Sequence, residues 1–346
     1  MSKIFESLNE GKIEDLSNLD AIKIVNFLFS DLLDREKDIL SRRYGLNGGR
    51  GETLEKIGSL HNLTRERVRQ IESASIKKIK KLEKVEDSIN TLKETINDLL
   101  EEHGGMLRKD FLLDILTVSC LELGNNLNSD SPEYEANREI YKNHFNFLIS
   151  KLIGDDLEDV KKIEEFNPVI KLKNSQIDYF KDLADDLLNK VENLKKVLST
   201  EELIELLKQL DSYNRYQEQI SKESKIDITK IYKSKIFKDK AEIINSNKIL
   251  YSLIQAVKNL EMNKFGQWGS ASWSEIKPKT VNDKIYLVLK HSGKALHFTD
   301  IAKKINEIGF DKKKANPATV HNELILDNRY YLDSRGTYGL REWQNQ

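Results

Sequence analysis

Apolar positions recur at helical spacing over most of the chain. Leu19, Ile22, Ile24, Val25, Leu28 and Phe29 share one side of a helix drawn through residues 12–30. A second helix, through DLLDREKDILSRRYGL, takes Asp34 as its cap and Gly45 as its stop. Leu32, Ile39, Leu40 and Tyr44 form its apolar face. Asn47–Gly51 (NGGRG) reads as a loop. Thr53 then caps a short helix with Leu54, Ile57 and Leu60 turned inward. Thr64 caps a longer helix reaching Val85, with Val68, Ile71, Ile79 and Leu82 on one stripe. Only His61–Leu63 separates the two, which predicts a helix-turn-helix, and Gly58 would let its halves approach closely.

From Ser88 to Pro278 the helical period continues with few breakers. Asn125–Pro132 is a polar loop, and Gly154–Glu165 is an acidic stretch expected to be a solvated helix face. Phe166–Asn174 looks like a short strand entering a turn, and Phe265–Trp273 a loop or hairpin. Pro278 marks a boundary. Beyond it the pattern gives a helix ending near Gly293 and a short extended piece, Leu296–Phe298. Next come a helix capped by Thr299 and ended by Gly309, and a third capped by Asn316 with Pro317 in its first turn. Two strands joined by Ser334–Gly336 complete a winged helix. A weak internal repeat lays Leu99–Leu116 over Val288–Ile305. A third copy begins near Val191 and uses Phe265–Trp273 as its hairpin. The expected fold is mainly α and multi-domain, a helix-turn-helix plus winged-helix units with small β-hairpin wings.

Composition narrows the class. A chain of 346 residues suggests two or three domains. With 38% hydrophobic residues, 4 Pro and 16 Gly, it is too apolar and too poor in breakers for a disordered chain. The longest apolar run, Phe111–Leu121, is interrupted by Asp114 and falls far short of the ~18–20 residues of a membrane helix. The opening residues turn acidic at once, unlike a signal peptide. The single cysteine, Cys120, permits no internal disulfide and reads as a buried small hydrophobe. The expected setting is the cytoplasm, with no membrane partner.

Charge matters through its distribution. The net charge of -1 conceals residues 64–84, where eight basic side chains face three acidic ones, while acids gather in 154–165 and 182–206. A cationic helix after a tight turn is the electrostatic footprint of a DNA reader. With Val68 and Ile71 inward, Arg65, Glu66, Arg69 and Gln70 lie on the opposite face of the N-terminal half, where recognition helices touch base edges. Arg suits guanine, Gln adenine and Glu cytosine. Thr64, Arg67 and Ser73 complete the candidate face, and Lys77 and Lys78 would meet phosphates. A solvated helix with ordinary surface charge is the competing reading; the adjacent tight turn weighs against it.

No chemistry is expected. The histidines (His61, His103, His144, His291, His297 and His321) form no pair at ligand spacing with an acidic partner, so neither metal nor cofactor is predicted. Asn47–Gly51 and His103–Gly105 lack the Gly-Lys-Ser/Thr ending of a phosphate loop. Glu275–Lys277 resembles the Glu-x-Lys piece of restriction nucleases, but no paired Asp is identifiable and Pro278 follows directly. No Gly-x-Ser-x-Gly elbow is present.

Two resemblances sharpen this picture. LDREKDILSRRYGL (Leu33–Leu46) and TLEKIGSLHNLTRERVRQIESASIKKIKK (Thr53–Lys81) together resemble region 4 of the sigma-70 family, the domain that reads the minus-35 promoter element. The resemblance implies that Arg65, Glu66, Arg69 and Gln70 contact bases or adjacent phosphates, with Arg43, Lys77 and Lys78 as weaker backbone candidates. It also implies a partner, core RNA polymerase, through the β flap or another subunit. Leu46 and the helices before the turn are candidates for that apolar face. Little chain precedes the match, so a complete promoter-opening sigma factor with regions 2 and 3 is not expected. The second resemblance lies in TVNDKIYLVLKHSGKALHFTDIAKKINEIGF and TVHNELILDNRYYLDSRGTYGLREW. These are similar to the HARE-HTH winged helix found in the polymerase delta subunit, in chromatin regulators and in restriction-associated proteins. That domain is thought to bind DNA or polymerase, which makes His321, Asn322 and Arg335 candidate contacts. The domain expectation is residues 1–86 region 4-like, 87–177 and 178–277 helical units readable as degenerate winged helices, and 278–346 HARE-HTH. The expected function is a sequence-specific, promoter-binding transcription protein associated with RNA polymerase, located at the nucleoid. The alternatives are a promoter-binding regulator that never touches polymerase and the DNA-recognition part of a restriction or defence system.

Overall fold

The structure, a computed structural model, describes residues 14–154, 157–161, 164–220 and 224–345. It is mainly helical, with three small antiparallel sheets among the described residues. The amino-terminal helices are α1 (Ala21–Phe29), α2 (Asp34–Tyr44), α3 (Leu54–His61) and α4 (Arg65–Lys80). The middle runs α5 (Lys84–Glu102), β1 (Met106–Arg108), α6 (Lys109–Val118), α7 (Pro132–Lys151), β2 (Leu157–Val160), β3 (Val169–Leu172), α8 (Asp178–Leu194) and α9 (Thr200–Lys208). Short helical turns lead to α10 (Ala241–Ser246) and α11 (Lys248–Ala256), and then to the hairpin β4 (Leu260–Met262) and β5 (Trp268–Ser270). The last stretch is α12 (Val281–Ser292), β6 (Leu296–His297), α13 (Phe298–Ile308), α14 (Pro317–Leu326), β7 (Tyr330–Ser334) and β8 (Thr337–Leu340). Two compact units result: residues 1–184 with 211–257, and residues 185–210 with 258–346.

Local signals set most of these boundaries. The Thr53 and Thr64 side chains accept from Lys56 N and Arg67 N, each at 3.2 Å. Gly45, Gly293 and Gly309 end α2, α12 and α13 with φ of 67°, 63° and 62°, a region where a Cβ is costly. Asn316 caps α14, accepting from Ala318 N at 2.9 Å, with Pro317 in the first turn.

Other expectations are corrected. The helix expected over 12–30 is broken in two: residues 14–18 are helical, and after Leu19 a new helix, α1, starts at Ala21 because Asp20 caps it, accepting from Lys23 N at 3.0 Å; residues 12–13 lie outside the described residues. Asp34 is inside α2 rather than its cap: Leu33 holds the cap position, and its N–H donates to Glu36 Oε2 at 2.9 Å. α4 stops at Lys80, and Lys84 opens a new helix, so the predicted continuous run to Val85 is broken. Leu60 is 54% exposed, not inward. The described part of the acidic stretch 154–165 holds β2, a strand paired with β3, not a helix face; residues 155–156 and 162–163 lie outside the description. Thr299 is the second residue of α13, and His297 caps that helix.

The proposed repeat has a topological counterpart. β1–β3–β2 and β6–β8–β7 are both three-stranded with the first strand against the third. In each, a helix, a glycine and a short first strand precede the second helix. Leu198 bridges Trp268 antiparallel, so Leu198, β5 and β4 follow the same order. Three successive wings therefore share one connectivity.

The first unit has a large apolar core that joins Leu28, Leu40, Leu46 and Ile79 to Phe145, Phe147 and Tyr251. Ile39, Ile57 and Val68, each 0% exposed, form a separate small core beneath the helix-turn-helix. Cys120 is buried, as expected. In the second unit, Ile285, Leu289, Ile301, Val320, Leu324 and Leu340 form the centre of the carboxy-terminal winged helix.

A polar knot ties the late helices of the first unit to α5. Lys248 Nζ lies 2.9 Å from Glu102 Oε2, and the two side chains are 2% and 6% exposed. Lys248 also donates to Ser224 and to the Ile226 carbonyl, and the Lys225 N–H donates to Glu102 at 2.7 Å. Burial alone would raise the Glu102 carboxyl; these hydrogen bonds outweigh it and hold the group below its ordinary range. Next to it, His103 is fully buried, with Nδ1 2.6 Å from the Leu99 carbonyl and Nε2 2.8 Å from the Tyr232 hydroxyl. Burial pushes His103 down to about 4 from 6.5.

A neutral buried histidine makes the fold acid-sensitive. The unfolded chain binds this proton below pH 6.5 and the folded chain only below about 4, so stability falls as pH drops through that interval. The full loss is about 3 kcal/mol at 1.36 kcal/mol per pH unit. Thermal melts of wild type and His103→Gln at pH 7 and pH 4.5 should show a smaller acid loss for the variant; equal losses would refute the assignment.

Candidate nucleic-acid interface

The interface is built from the turn outward. α3 ends at Asn62, in the left-handed region with φ of 55°. The Leu63 N–H then donates back to the Gly58 carbonyl at 2.8 Å. A Cβ on Gly58 would stand 2.6 Å from Leu63 O. The close approach that Gly58 permits is thus to the turn backbone itself. This fold-back places Val68 over Ile39 and Ile57, and that burial fixes which face of α4 is left to solvent.

That outer face carries the expected residues. Thr64, Arg65, Glu66, Arg67, Arg69, Gln70, Ser73, Lys77 and Lys78 are all exposed, while Val68, Ser75 and Ile79 are buried. The side chains of the N-terminal half pair with one another. Arg69 binds Glu66 bidentately at 2.6 and 2.8 Å, and Arg67 Nη1 donates to Gln70 Oε1 at 3.2 Å. Arg65 lies 3.2 Å from Glu55 of α3. The Arg69 hydrogen bonds hold the Glu66 carboxyl below its ordinary range. Exposed pairs of this kind contribute only about 0–1 kcal/mol, so exchanging them for base edges or phosphates costs little. Lys78 sits 3.5 Å from Glu36, about two turns beyond Gln70.

Behind this face are groups that hold it. Asp38 of α2 accepts from Arg42 Nε at 2.8 Å and lies 2.8 Å from His61 Nε2, and Arg35 donates to the His61 carbonyl at 3.1 Å. Burial works to raise Asp38, but the Arg42 and His61 hydrogen bonds prevail and lower it. His61 is thus a clamp between α2 and α3. Arg43 is partly exposed but already engaged: Nη1 donates to the Glu52 carbonyl at 2.9 Å, and Nε lies 3.6 Å from Glu72. The Tyr44 hydroxyl donates to the same Glu72 at 2.5 Å, and burial together with that carboxylate raises the phenol. Glu72 went unnoticed in the sequence, although an acid on the buried stripe of α4, one turn past Val68, signals an internal partner.

Leu46, expected to offer an apolar docking face, is 4% exposed and packed in the large core. The α7 helix of the same unit lies against α1 and α2. Leu46 therefore packs inside the first unit and leaves no exposed apolar face at that position.

The carboxy-terminal candidates are less alike. Asn322 and Arg335 are exposed, on α14 and at the wing tip. The His321 ring is half-buried between Phe298 at 4.6 Å and Tyr338 at 5.8 Å, so packing occupies it. α14 contains no Lys or Arg, and its end exposes Ile325 and Leu326. Among the described residues no group of three His, Cys, Asp or Glu could hold a metal ion, and no helix is long and apolar enough to cross a membrane.

These features meet in a known domain. Residues 28–81 match Sigma-70, region 4. The chain is 53% identical over 53 residues to the RNA polymerase sigma factor SigA1 of Synechococcus elongatus, covering 15% of this chain and 13% of that protein. The sigma factor SigA of Microcystis aeruginosa is 45% identical over 67 residues, 19% of this chain and 14% of that one. For SigA of Lactococcus lactis the figures are 51% over 49 residues and 14% of each chain. The chain thus spans only 13% to 14% of the length of these relatives. No solved structure matches the chain significantly.

The turn gives a direct test. Gly58→Ala forces a Cβ against Leu63 O and should destabilise the chain by about 1–3 kcal/mol. Urea unfolding measures it, and a change below about 0.5 kcal/mol would show that the turn tolerates the side chain.

Proposed function

We propose that this protein is a sequence-specific, promoter-binding transcription factor whose α4 reads duplex DNA from the major groove. The observation that carries this is the arrangement of Arg65, Glu66, Arg67, Arg69 and Gln70. All are exposed on the N-terminal half of a helix fixed by the Gly58–Leu63 turn, within a stretch that matches Sigma-70, region 4. In this reading Arg69, Arg65, Glu66 and Gln70 address base edges, Thr64 and Ser73 line the approach, and Lys77 and Lys78 meet phosphates. Arg43 serves the interior instead, because Glu52 and Glu72 already engage it. No catalytic step is involved.

The domain reading places residues 1–86 as the region 4-like reader, 87–177 and 178–277 as degenerate winged helices, and 278–346 as a HARE-HTH winged helix. The recurring wing order supports the last three. His321, Asn322 and Arg335 are the contact candidates there. Of these the exposed Asn322 and Arg335 are the stronger, since the His321 ring is packed. Two modest DNA-holding modules on one chain would gain from effective concentration. The bacterial cytoplasm and nucleoid are the corresponding location.

RNA polymerase is the second proposed partner, by likeness to the sigma factors. Leu46 is buried, so in this reading it is not the residue that makes that contact. The same burial favours a second reading, a promoter-binding regulator that does not touch polymerase. Co-purification with core polymerase separates the two.

The DNA contact is tested by fluorescence anisotropy on promoter and scrambled duplexes. Arg69→Ala should weaken promoter binding by about 1–3 kcal/mol and leave scrambled binding nearly unchanged. Lys78→Ala should weaken both alike and flatten the salt slope by about 1. Wild-type affinity in both variants would exclude α4 as the reader.

A further inference from the structure

The α7 helix is the third helix of the middle winged-helix arrangement, the position that in such folds faces outward to a ligand. Here it is turned inward. Tyr141, Phe145, Phe147 and Leu148 are buried in the large core of the first unit. One stripe of α7, formed by Ile140, Asn143 and Phe147, lies against the segment that joins α2 to α3.

The contact is specific. Asn143 Nδ2 donates to the carbonyls of Gly45 and Gly49, at 2.8 and 2.9 Å, across more than ninety residues of sequence. One amide thus uses both N–H groups on one loop. The loop is folded tightly beneath it. A Cβ on Gly45 would stand 2.4 Å from Gly49 O and 3.0 Å from Asn143 Nδ2, and one on Gly48 would stand 3.2 Å from Ile140. One turn along α7, the Phe147 ring packs on Tyr44 with centroids 4.9 Å apart. Tyr44 donates to Glu72 on α4, and Arg43 beside it lies 3.6 Å from the same carboxylate. Glu72 is one turn from Arg69 and Val68 on α4, so these contacts hold that helix at a second point beside its Val68 anchor.

We propose that Asn143 is a positioning residue for the DNA-reading helix. Together with Phe147 it fixes the Gly45–Gly51 loop and Tyr44, and through Glu72 sets the angle at which the Arg65–Gln70 face is presented. The middle module thus acts on base recognition without touching DNA. This rests on the promoter-DNA reading above.

The test uses the full chain with Asn143→Ala, Asn143→Asp and Tyr44→Phe, each assayed well below its melting temperature. Asp keeps the size of Asn but sets an acceptor against two carbonyls, so it should be the most severe. Promoter-duplex affinity should fall about 3- to 10-fold in Asn143→Ala and further in Asn143→Asp. Scrambled-duplex affinity and the salt slope should stay as in wild type. Amide hydrogen exchange should rise in residues 45–52 and 65–73 in both Asn143 variants. Asn143→Ala and Tyr44→Phe should be non-additive in promoter binding, because they break one linkage. A purely structural role for Asn143 would lower the melting temperature and leave the promoter-to-scrambled ratio unchanged, which would overturn the proposal. So would unchanged exchange in residues 65–73. A wild-type chain with no preference for the promoter duplex would instead overturn the DNA reading and, with it, the specificity claim; exchange would then still decide the mechanical link on its own.

Discussion

Everything proposed for the amino-terminal module depends on one short fold-back. The Leu63 amide returns to the Gly58 carbonyl, and that single bond leaves no space for a side chain at Gly58. Because the turn is so tight, α4 starts immediately over α2 and α3, and Val68 falls on Ile39 and Ile57. Once Val68 is buried, the 3.6-residue period decides which side chains face solvent. The charge of α4 acquires a direction only through that constraint. A helix of the same composition without the turn would be an ordinary solvated surface.

The sequence was legible where a residue's role is settled by its neighbours in the chain. Thr53, Thr64 and Asn316 cap the helices expected of them, and Gly45, Gly293 and Gly309 end theirs, since these roles need only local backbone geometry. It misled where a neighbouring side chain took over the local role. Glu36 satisfies the Leu33 N–H, and His297 precedes Thr299 as the cap. It also misled where pairing decides the state. The segment Leu157–Val160 has no strand alternation and becomes a strand because β3 supplies its partner. The pairing of Arg43 with Glu72 and the burial of Leu46 in the large core are long-range packing that no local pattern reveals. The exposed cationic face of α4 was readable; the Asn143 contacts with the Gly45–Gly51 loop were not, because Asn143 lies so far from Gly45 along the chain.

The three wings show how one connectivity can serve different ends. In the carboxy-terminal winged helix the third helix, α14, leaves Asn322, Ile325 and Leu326 exposed. In the middle one the third helix is used internally, with its aromatic side chains in the core of the first unit. The charge follows the same division. The α4 helix carries a dense cationic surface, whereas α14 carries no Lys or Arg. Similar scaffolds have therefore been given unlike surfaces, and the surface rather than the topology indicates what each could hold.

The Glu102–Lys248 knot has a bearing on how the chain comes to be folded. The two partners are 146 residues apart, and the first unit takes in residues 211–257 only after the chain has passed through 185–210 of the second. During synthesis the carboxylate at the end of α5 must wait for its ammonium partner until 146 further residues have been made. Until then the Glu102 carboxylate stays hydrated, beside an apolar surface that the late helices have yet to cover. The amino-terminal helix-turn-helix can complete its small local core early, but the large core of the first unit closes late.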